Sequence, residues 1–438
     1  MRTPTMDMKV IAERRKRLAQ LIPGSALILT AHPEYIRNHD VHHPYRQDSN
    51  FYYLTGFEEP ESIFLFRPGK NPESVLFVRN KDVERETWDG FRYGPEATKQ
   101  EFQVDAAYSI DKFDELAPKL LEEVDKLYYR FFYFKDYDAI LEKALLHTKS
   151  LRRRSGMGTL TIADSYQLIG EMRLIKDDFE VEQMRKAAEI NTFAHTQIMK
   201  KISPGINERE LHGKFIAAIM AQGAEREAYN GIFASGNNAT TLHYVFNDQV
   251  CQDGDLFLID AGPEYNFYAS DVTRAYPVNG KFNEDQKRVY NRVLQIQKRM
   301  IERVKPGVTM SDLQHETISL LVDVMLDEGL LAGAKDQLIM NNEYLKYYPH
   351  GIGHWLGMDV HDAGLTIVGG EPRPLVKGMV ITIEPGLYIP ASDTKAPVAL
   401  RGMGIRIEDN LLLTEDGHEV LSEQIPKEVS ELESFLNS

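Results

Sequence analysis

The feature that most constrains this chain is an apolar run of strand length that ends in an acid, lies between two glycines and occurs twice. In the first copy, Gly254 lies six residues before Asp260, and Gly262 lies two residues after it. Residues 378–386 repeat this spacing around Glu384. Repeated spacing is typical of an internal duplication, so the pattern predicts two related halves, each with a buried strand. A chance likeness between two unrelated buried strands is the alternative.

A second acid follows each copy, Asp271 in the first half and Glu408 in the second. The segment 269–273 predicts the second strand of a β-hairpin. A turn centred on residues 265–266 would place Asp260 opposite Asp271 on an otherwise apolar face. Burying unpaired carboxylates on such a face is unfavourable, so the two acids either share a proton or hold a cation between them.

Helical patterns before the two strands repeat as well. A Pro-Gly turn followed by a polar capping residue occurs at 203–207 and again at 305–311. Residues 170–201 carry apolar side chains at helical spacing, which predicts a long helix that opens a second domain. We therefore divide the 438-residue chain into an N-terminal domain, 1–172, and a second domain, 173–438.

The first domain alternates short apolar runs with helical stretches, which indicates an α/β fold with a parallel or mixed sheet. The predicted elements are helices over 7–21 and 113–124 and strands over 26–30, 62–66 and 74–78. The aromatic segment 45–56 is interpreted as a packed, half-buried strand. The basic segment 149–158 is interpreted as an exposed loop.

Composition argues against several classes of partner. The net charge of −15 makes nucleic acid an unfavourable partner. No stretch reaches the length of about 20 apolar residues that a membrane span needs, so we expect no membrane partner. Residues 14–30 distantly resemble a signal peptide, but a Pro-Gly turn interrupts them and no cleavage site follows. The one cysteine, Cys251, permits no intrachain disulfide, which favours a cytoplasmic location and a metal site built from oxygen and nitrogen ligands.

Three of the thirteen histidines lie close together between the two acid-bearing segments: His350, His354 and His361. Glycines are interleaved with them, and glycine lets a backbone approach its neighbours closely. Since histidine is a common metal ligand and titrates near neutrality, we interpret this triplet as functional rather than as core histidines. His243 fits a structural role equally well.

Four carboxylates and at least one histidine suit hard or borderline divalent ions. Mn²⁺, Co²⁺ and Zn²⁺ are the candidates, and the predominance of oxygen ligands favours Mn²⁺. Four acids carry more charge than one divalent ion offsets, so two ions are predicted. Paired ions about 3.5–4 Å apart occur in phosphatases, nucleases and aminopeptidases, so the residues alone predict a two-metal hydrolase.

At these residues the chain resembles the pita-bread metallopeptidases, and within them the aminopeptidase P branch. Residues 350–362, HGIGHWLGMDVHD, are similar to the proline-peptidase motif of that family. Segments within residues 44–56 are similar to the N-terminal domain of aminopeptidase P. The resemblance implies a curved antiparallel sheet with a pseudo-twofold duplication in the second domain. It also implies five metal ligands: Asp260, Asp271, His354, Glu384 and Glu408.

The resemblance implies removal of the N-terminal residue from peptides with proline at the second position. The Xaa-Pro bond is a tertiary amide without an N–H group, so peptidases that bind that N–H need a specialised counterpart. A prolidase, which cleaves Xaa-Pro dipeptides, is the nearest alternative and would use the same ligands. A non-catalytic binding module of the same fold is the alternative from another class, and the complete ligand set disfavours it.

The family also implies roles for residues beside the ligands. Glu384 would hold metal and take a proton from the attacking water. His361 and His243 would donate hydrogen bonds to the developing oxyanion, and His361 would also contact substrate. Arg406 would offset the negative charge of the site.

The remaining implied residues contact the substrate. His350 and Tyr388 would line the side that binds proline. In bacterial relatives a tryptophan and an arginine of a neighbouring subunit close the site, and Trp88 and Arg153 match them. These matches imply a homo-oligomer, a tetramer or a dimer.

Overall fold

A computed structural model describes residues 6–437 of the chain. The chain divides into two units, of which the first ends at Ile169 and the second begins at Gly170. This boundary and the one predicted from the sequence both lie within the helix Tyr166–Leu174. None of the helices in the described part of the chain is long and apolar enough to cross a membrane.

The first unit combines helices with a mixed sheet. Its helices are α1 (Met8–Leu21), α2 (Ser49–Thr55), α3 (Val83–Asp89), α4 (Gly94–Glu101), α5 (Phe113–Leu121), α6 (Lys135–Arg154) and α7 (Tyr166–Leu174), the last of which continues into the second unit. Its strands are β1 (Ser25–Thr30), β2 (Ile36–Asn38), β3 (Val41–His42), β4 (Ile63–Phe66), β5 (Ser74–Val78), β6 (Ala106–Ser109), β7 (Lys126–Tyr128) and β8 (Thr161–Ala163).

The main sheet of this unit has the order β6-β5-β4-β1-β7-β8. β1 runs antiparallel to β4 and parallel to β7, so the sheet is mixed. Apolar side chains of α5 and α6 pack on β1, β4 and β5 to form a core. The predicted α/β fold of this unit is confirmed.

The prediction of a strand within residues 45–56 was wrong, because most of this segment forms α2. Asp48 caps the helix by accepting a 2.9 Å hydrogen bond from the backbone N of Phe51. Gly56 ends it with a positive φ of 65°. A capping acid and a C-terminal glycine favour helix strongly enough here to outweigh the β-propensity of the aromatic residues between them.

The prediction of an exposed loop over 149–158 was also wrong for most of its length, since α6 continues to Arg154. Arg152 is buried and donates to the carbonyl oxygens of Glu122, Val124 and Gly158 at 2.6–2.7 Å. A basic residue here satisfies buried backbone acceptors, which a reading of charge alone does not anticipate.

The second unit is richer in short strands. Its helices are α8 (Asp178–Met199), α9 (Glu208–Ala221), α10 (Glu284–Arg303), α11 (Met310–Asp327), α12 (Lys335–Met340) and α13 (Val429–Leu436). Its strands are β9 (Arg226–Glu227), β10 (Ile232–Ser235), β11 (Leu256–Ala261), β12 (Pro263–Tyr265), β13 (Tyr268–Ala269), β14 (Val272–Pro277), β15 (Ile367–Val368), β16 (Glu371–Pro372), β17 (Val380–Ile383), β18 (Gly386–Ile389), β19 (Met403–Arg406), β20 (Asp409–Leu413) and β21 (His418–Val420).

The long helix predicted over 170–201 is two helices, α7 and α8. Asp177 separates them, because it caps α8 by accepting from the backbone N of Glu180, whose side chain in turn accepts from Asp177 N. This reciprocal capping box satisfies N–H groups that a continuous helix would have bonded internally.

Strand pairs within this unit are antiparallel: β10-β11-β14, β9-β12-β13, β17-β20-β21, β18-β19 and β15-β16. Apolar side chains of α8 to α11 pack with those of β11, β14, β17 and β20 in one core. This arrangement, with antiparallel strands below helices, confirms the predicted fold class.

The internal duplication is visible in how the turn of each helix pair contacts the segment that precedes β11 or β17. In the first half the backbone N of Gly205 donates to the carbonyl oxygen of Cys251 at 2.9 Å. In the second half Gly307 donates to Leu375 at the same 2.9 Å. Gly254 lies three residues after Cys251, and Gly378 lies three residues after Leu375; both glycines have a φ of 86°. Equivalent contacts at equivalent positions favour duplication over chance likeness.

Candidate metal centre

The first acid-bearing hairpin differs in register from the prediction. β11 pairs with β14, and Asp260 lies opposite Thr273 rather than opposite Asp271. The turn lies at Asn266 and Phe267, both with positive φ, 47° and 69°, which is further along the chain than predicted. The register therefore shifts by two residues, and because side chains alternate along a strand, the predicted face of each acid is unchanged.

Glycines of the histidine-bearing segment are required by close contacts. A Cβ on Gly353 would lie 1.9 Å from the carbonyl oxygen of Thr382. A Cβ on Gly357 would lie 2.1 Å from Oδ2 of Asp362. Both distances are far below a van der Waals contact, so the prediction that these glycines allow close backbone approach is confirmed.

The four predicted acid ligands lie at the ends of β11 and β17 and at the starts of β14 and β20, and His354 lies in the segment between α12 and β15. Asp271, His354 and Glu408 each present one ligand atom, and these atoms lie within 4.8 Å of one another. Nε2 of His354 is 3.4 Å from Oδ2 of Asp271 and 3.6 Å from Oε1 of Glu384. Carboxylate oxygens and an imidazole nitrogen at this spacing fit a divalent ion such as Mn²⁺, Co²⁺ or Zn²⁺.

Asp260 joins this cluster through the hydroxyl of Tyr229. That hydroxyl lies 2.6 Å from Oδ1 of Asp260 and also contacts Oδ1 of Asp271. Burial and the charges of the two carboxylates raise the pKa of Tyr229 well above its ordinary value, so the phenol remains a donor. Tyr229 was not predicted from the sequence, because it lies in the loop between β9 and β10, 31 residues before Asp260, and no local pattern marks it.

His354 is oriented by the backbone of the next residue, Trp355. Its Nδ1 donates to the carbonyl oxygen of Trp355 at 3.0 Å, which leaves Nε2 directed at the acids. Burial by itself lowers the pKa of His354, but the hydrogen bond to Asp271 and the charge of Glu384 raise it to about 9. Burial by itself raises the pKa of Asp271, but the same hydrogen bond lowers it below its usual value.

Burial and mutual repulsion oppose the ionised form of the other acids. Burial raises the pKa of Asp260, and the charge of Asp271 adds to this, although Arg406 acts against it. Burial also raises the pKa of Glu384 to about 7 and that of Glu408 well above its usual value. A divalent cation among these side chains would favour the ionised form of all four.

Arg406 connects the acids to the predicted substrate side. Its guanidinium contacts Oδ2 of Asp260 and donates to the hydroxyls of Thr273 at 3.0 Å and Tyr388 at 2.9 Å. The Tyr388 hydroxyl lies 2.8 Å from Nε2 of His350 and donates to it. Burial and the charge of Arg406 lower the pKa of His350 to about 3, so this imidazole is neutral.

Two threonine hydroxyls, neither predicted, hold the second-half acids. Thr273 donates to Oε2 of Glu408 at 2.7 Å, so a first-half strand supports a second-half carboxylate. Thr382 accepts a 3.1 Å hydrogen bond from the backbone N of His354 and lies 3.4 Å from Oε1 of Glu384. The contacts of Thr273 with Glu408 and of Thr382 with His354 join residues 135 and 28 positions apart, which a local pattern does not reveal.

The remaining predicted residues differ in their placement. His361 lies with its ring edge-on to His354, at 4.3 Å between ring centroids. Partial burial and the charge of His354 lower the pKa of His361. His243 is exposed in the loop between β10 and β11. Trp88 and Arg153 belong to the first unit, where both side chains are exposed, Trp88 by 82%.

Two family models match the chain. Residues 182–415 match metallopeptidase family M24. Residues 11–128 match the N-terminal domain of aminopeptidase P.

Individual relatives match over nearly the whole length. The chain is 40% identical over 429 residues to an Xaa-Pro aminopeptidase of Haemophilus influenzae, covering 97% of this chain and 96% of the relative. The structure of aminopeptidase PepP from Pseudomonas aeruginosa is similar with a TM-score of 0.95 and 40% identity, covering 99% of each chain. A zinc-substituted aminopeptidase P of Escherichia coli in complex with product is similar with a TM-score of 0.93 and 37% identity, covering 99% and 98%.

Proposed function

The chain belongs to metallopeptidase family M24, within the pita-bread Xaa-Pro aminopeptidases, and on this premise we propose how its own residues bind metal and cleave the bond. It is a hydrolase that removes the N-terminal residue from peptides with proline at the second position. The observation that supports the assignment of its ligands is that Asp271, His354 and Glu408 present ligand atoms within 4.8 Å of one another. We assign this chemistry to residues 173–438 and the aminopeptidase P-like N-terminal domain to residues 1–172.

Two divalent ions, Mn²⁺ ahead of Co²⁺ or Zn²⁺, are the proposed cofactors. The ligands would be the four acids and His354: Asp260, Asp271, Glu384, Glu408 and His354. Three buried carboxylates and the partly buried Glu384 support a pair of ions, because one divalent ion offsets only half of their charge. When bound, the ions would polarise the scissile carbonyl and activate the attacking water.

Glu384 is the proposed proton carrier. Its carboxylate lies 3.6 Å from His354, and its backbone N donates to the carbonyl oxygen of Ile352 at 2.8 Å, which holds it at the end of β17. It would take a proton from the attacking water and deliver one to the proline nitrogen. That nitrogen carries no proton in the peptide and must gain one to leave as an amine.

His361 and His243 are the proposed donors to the developing oxyanion. The ring of His361 lies beside that of His354, a member of the proposed ligand cluster, with 4.3 Å between the ring centroids. The pKa of His361 is lowered from its ordinary value, so its imidazole is neutral. A neutral imidazole can donate one N–H to the oxyanion without adding a positive charge to the site. His361 would thereby contact substrate as well.

The chain from Arg406 through Tyr388 to His350 is the proposed wall of the proline side. Arg406 donates to Tyr388, and Tyr388 donates to His350, so the three side chains are held in one orientation. Arg406 also offsets the charge of Asp260. A neutral His350 and the ring of Tyr388 suit the apolar pyrrolidine ring of proline.

A homo-oligomer, a tetramer or a dimer, is proposed from the resemblance to bacterial relatives. Trp88 and Arg153 would close the site of a neighbouring subunit, and the high exposure of the Trp88 ring supports such a contact. A cytoplasmic location is proposed from the single buried cysteine, Cys251.

The decisive assay compares Ala-Pro-Ala with the dipeptide Ala-Pro. The purified chain, loaded with Mn²⁺, should release alanine from the tripeptide and leave Pro-Ala, while Ala-Ala-Ala serves as the control without proline. Metal-free protein should be inactive and recover on addition of Mn²⁺. Cleavage of the dipeptide alone would identify a prolidase, and no cleavage of either peptide with bound metal would identify a non-catalytic module.

A further inference from the structure

The C-terminal segment Ser422 to Lys427 lies beyond residue 415, where the match to the family model ends, yet it contacts the strands that carry the acids. Its contacts converge on an ion pair between Arg274 on β14 and Asp409 on β20. The two side chains are 2.7 Å apart, and both are completely buried. Each neighbours a site residue in sequence, since Thr273 precedes Arg274 and Glu408 precedes Asp409.

Arg274 uses all of its donor capacity. A guanidinium has five N–H groups, and each of the five reaches an acceptor here. The acceptors are the carbonyl oxygens of Thr273 at 3.0 Å, Glu408 at 2.5 Å, Ile425 at 3.1 Å and Pro426 at 3.2 Å, and Oδ1 of Asp409 at 2.7 Å. One side chain thus ties a first-half strand, a second-half strand and the C-terminal segment together.

Asp409 is saturated in the same way. Its Oδ1 accepts from Arg274 and from the hydroxyl of Ser422 at 2.7 Å. Its Oδ2 accepts from Gln297 at 2.6 Å and from the ammonium group of Lys427. The C-terminal segment therefore supplies two of these four donors. Removing one donor from a buried carboxylate leaves charge uncompensated, which is strongly unfavourable.

The ion pair lies on the opposite side of the strands from the acid cluster. Facing the cluster, Thr273 donates its hydroxyl to Oε2 of Glu408 at 2.7 Å. The backbone N of Glu408 donates to the carbonyl oxygen of Thr273 at 3.1 Å, and Arg274 donates to the carbonyl oxygen of Glu408. The backbone and side chain of Glu408 are thus all held, and part of that support depends on the C-terminal segment.

We propose that Lys427 is a positioning residue for Glu408, and that the segment from Ser422 to Lys427 sets the place of this ligand through Asp409 and Arg274. This inference rests on the proposed assignment of Glu408 as a metal ligand. Groups that orient metal ligands typically affect metal affinity by 10- to 100-fold when they are removed. Lys427 acts on Glu408 indirectly, through its contact with Asp409 and the contact of Arg274 with the carbonyl oxygen of Glu408.

The test is Lys427→Met, which keeps an unbranched side chain of similar length and removes its charge. Metal-free variant and wild type are titrated with Mn²⁺ by calorimetry, and the melting temperature of each metal-free protein is measured. The expected result is a Kd for Mn²⁺ raised by about 10-fold or more in Lys427→Met. Lys427→Arg, which keeps a cation, should restore most of the affinity.

Lys298→Met is the matched control. Lys298 forms an ion pair with Glu428 at 2.8 Å next to the same segment, but both side chains are 40% exposed. This variant should bind Mn²⁺ like the wild type, since an exposed pair contributes little. If Lys427→Met does not fold, Ser422→Ala removes a smaller part of the same support and should weaken binding by a smaller factor.

Failure of the positioning role and failure of the proposed metal centre give different results. A folded Lys427→Met protein, or in its place Ser422→Ala, that binds Mn²⁺ as tightly as the wild type overturns the positioning role. So does a lower melting temperature in Lys427→Met with unchanged Kd, which is the result of a purely structural role. A wild type that binds no Mn²⁺ at all would instead contradict the proposed metal centre.

Discussion

The two halves of the second unit deliver their acids on the same backbone pattern but hold them with different side chains. In the first half, the hydroxyl of Tyr229 lies between Asp260 and Asp271, and the guanidinium of Arg406 contacts Asp260. In the second half, Glu384 has a 3.4 Å contact to a threonine hydroxyl and a 3.6 Å contact to an imidazole nitrogen. The duplicated backbone thus determines where the acids enter, and the side chains around them differ.

Under the proposed roles, this difference suits the first-half acids to ligation and Glu384 of the second half to proton transfer as well as ligation. The first-half acids are aspartates with one methylene group each, and close charge-assisted contacts hold them in place, which suits fixed ligation. Glu384 has a longer side chain and longer contacts, so its carboxylate can adjust as a proton moves. In the proposed function both halves therefore supply ligands, and Glu384 of the second half also transfers a proton.

The largest effect should come from removing one acid from either half. Asp271→Ala and Glu408→Ala each delete a member of the three-residue cluster, so both should lose at least one bound ion and nearly all activity while remaining folded. Metal analysis of the purified proteins and circular dichroism check this. Glu415→Ala, which removes an exposed acid of the second half, is the control. Full metal occupancy in either cluster variant would contradict its assignment as a ligand.

The positions of the acids could be predicted because they follow from a local pattern. Glycine, apolar run and acid occur within nine residues in each half, and the alternation of side chains along a strand then fixes their face. The register of the hairpin was missed because Phe267 adopts a positive φ, which bulky residues seldom do. The register differs from the prediction by two residues, an even number, so the predicted face of Asp260 was still correct.

The supporting side chains could not be predicted, because they are distant in the chain. Tyr229 lies 42 residues from Asp271, and Thr273 lies 135 residues from Glu408. Such pairs form only when distant segments of the chain fold against each other, and no spacing of residues in the sequence predicts them. The helix α2 was missed for the opposite reason: its capping residues were present in the sequence but were outweighed by the aromatic composition of the segment.

An intermediate effect should distinguish the two tasks directly. Glu384→Gln keeps the shape of the side chain but removes its capacity to carry a proton, so kcat should fall by about 10²- to 10⁴-fold. Asp260→Asn should act mainly through weaker metal binding, since its carboxylate is held by Arg406 and Tyr229. Increasing Mn²⁺ should therefore restore much of the activity of Asp260→Asn, which steady-state kinetics would measure. If Mn²⁺ restored the activity of Glu384→Gln to the same extent, Glu384 would act as a ligand and not as the proton carrier.

The smallest of these effects should come from Tyr229→Phe, which removes a single hydroxyl from the first half. That hydroxyl orients Asp260 and Asp271 together, and it donates because the pKa of the phenol is raised. Loss of such an orienting group should weaken Mn²⁺ binding by about 10-fold and leave the kcat of the fully loaded protein close to that of the wild type. Calorimetric titration and kinetics at saturating Mn²⁺ separate the two quantities.

Tyr276→Phe is the matched control for this last substitution. Tyr276 is a fully buried tyrosine on β14, and its hydroxyl contacts His195 at 3.3 Å rather than an acid of the centre. Both variants lose one buried hydroxyl, so both should melt at a somewhat lower temperature, but only Tyr229→Phe should change the Kd for Mn²⁺. Equal Kd values in the two variants would show that the first-half acids keep their geometry without the phenol. The contrast between the two halves would then reduce to the contact of Arg406 with Asp260 and to the identity of the acids.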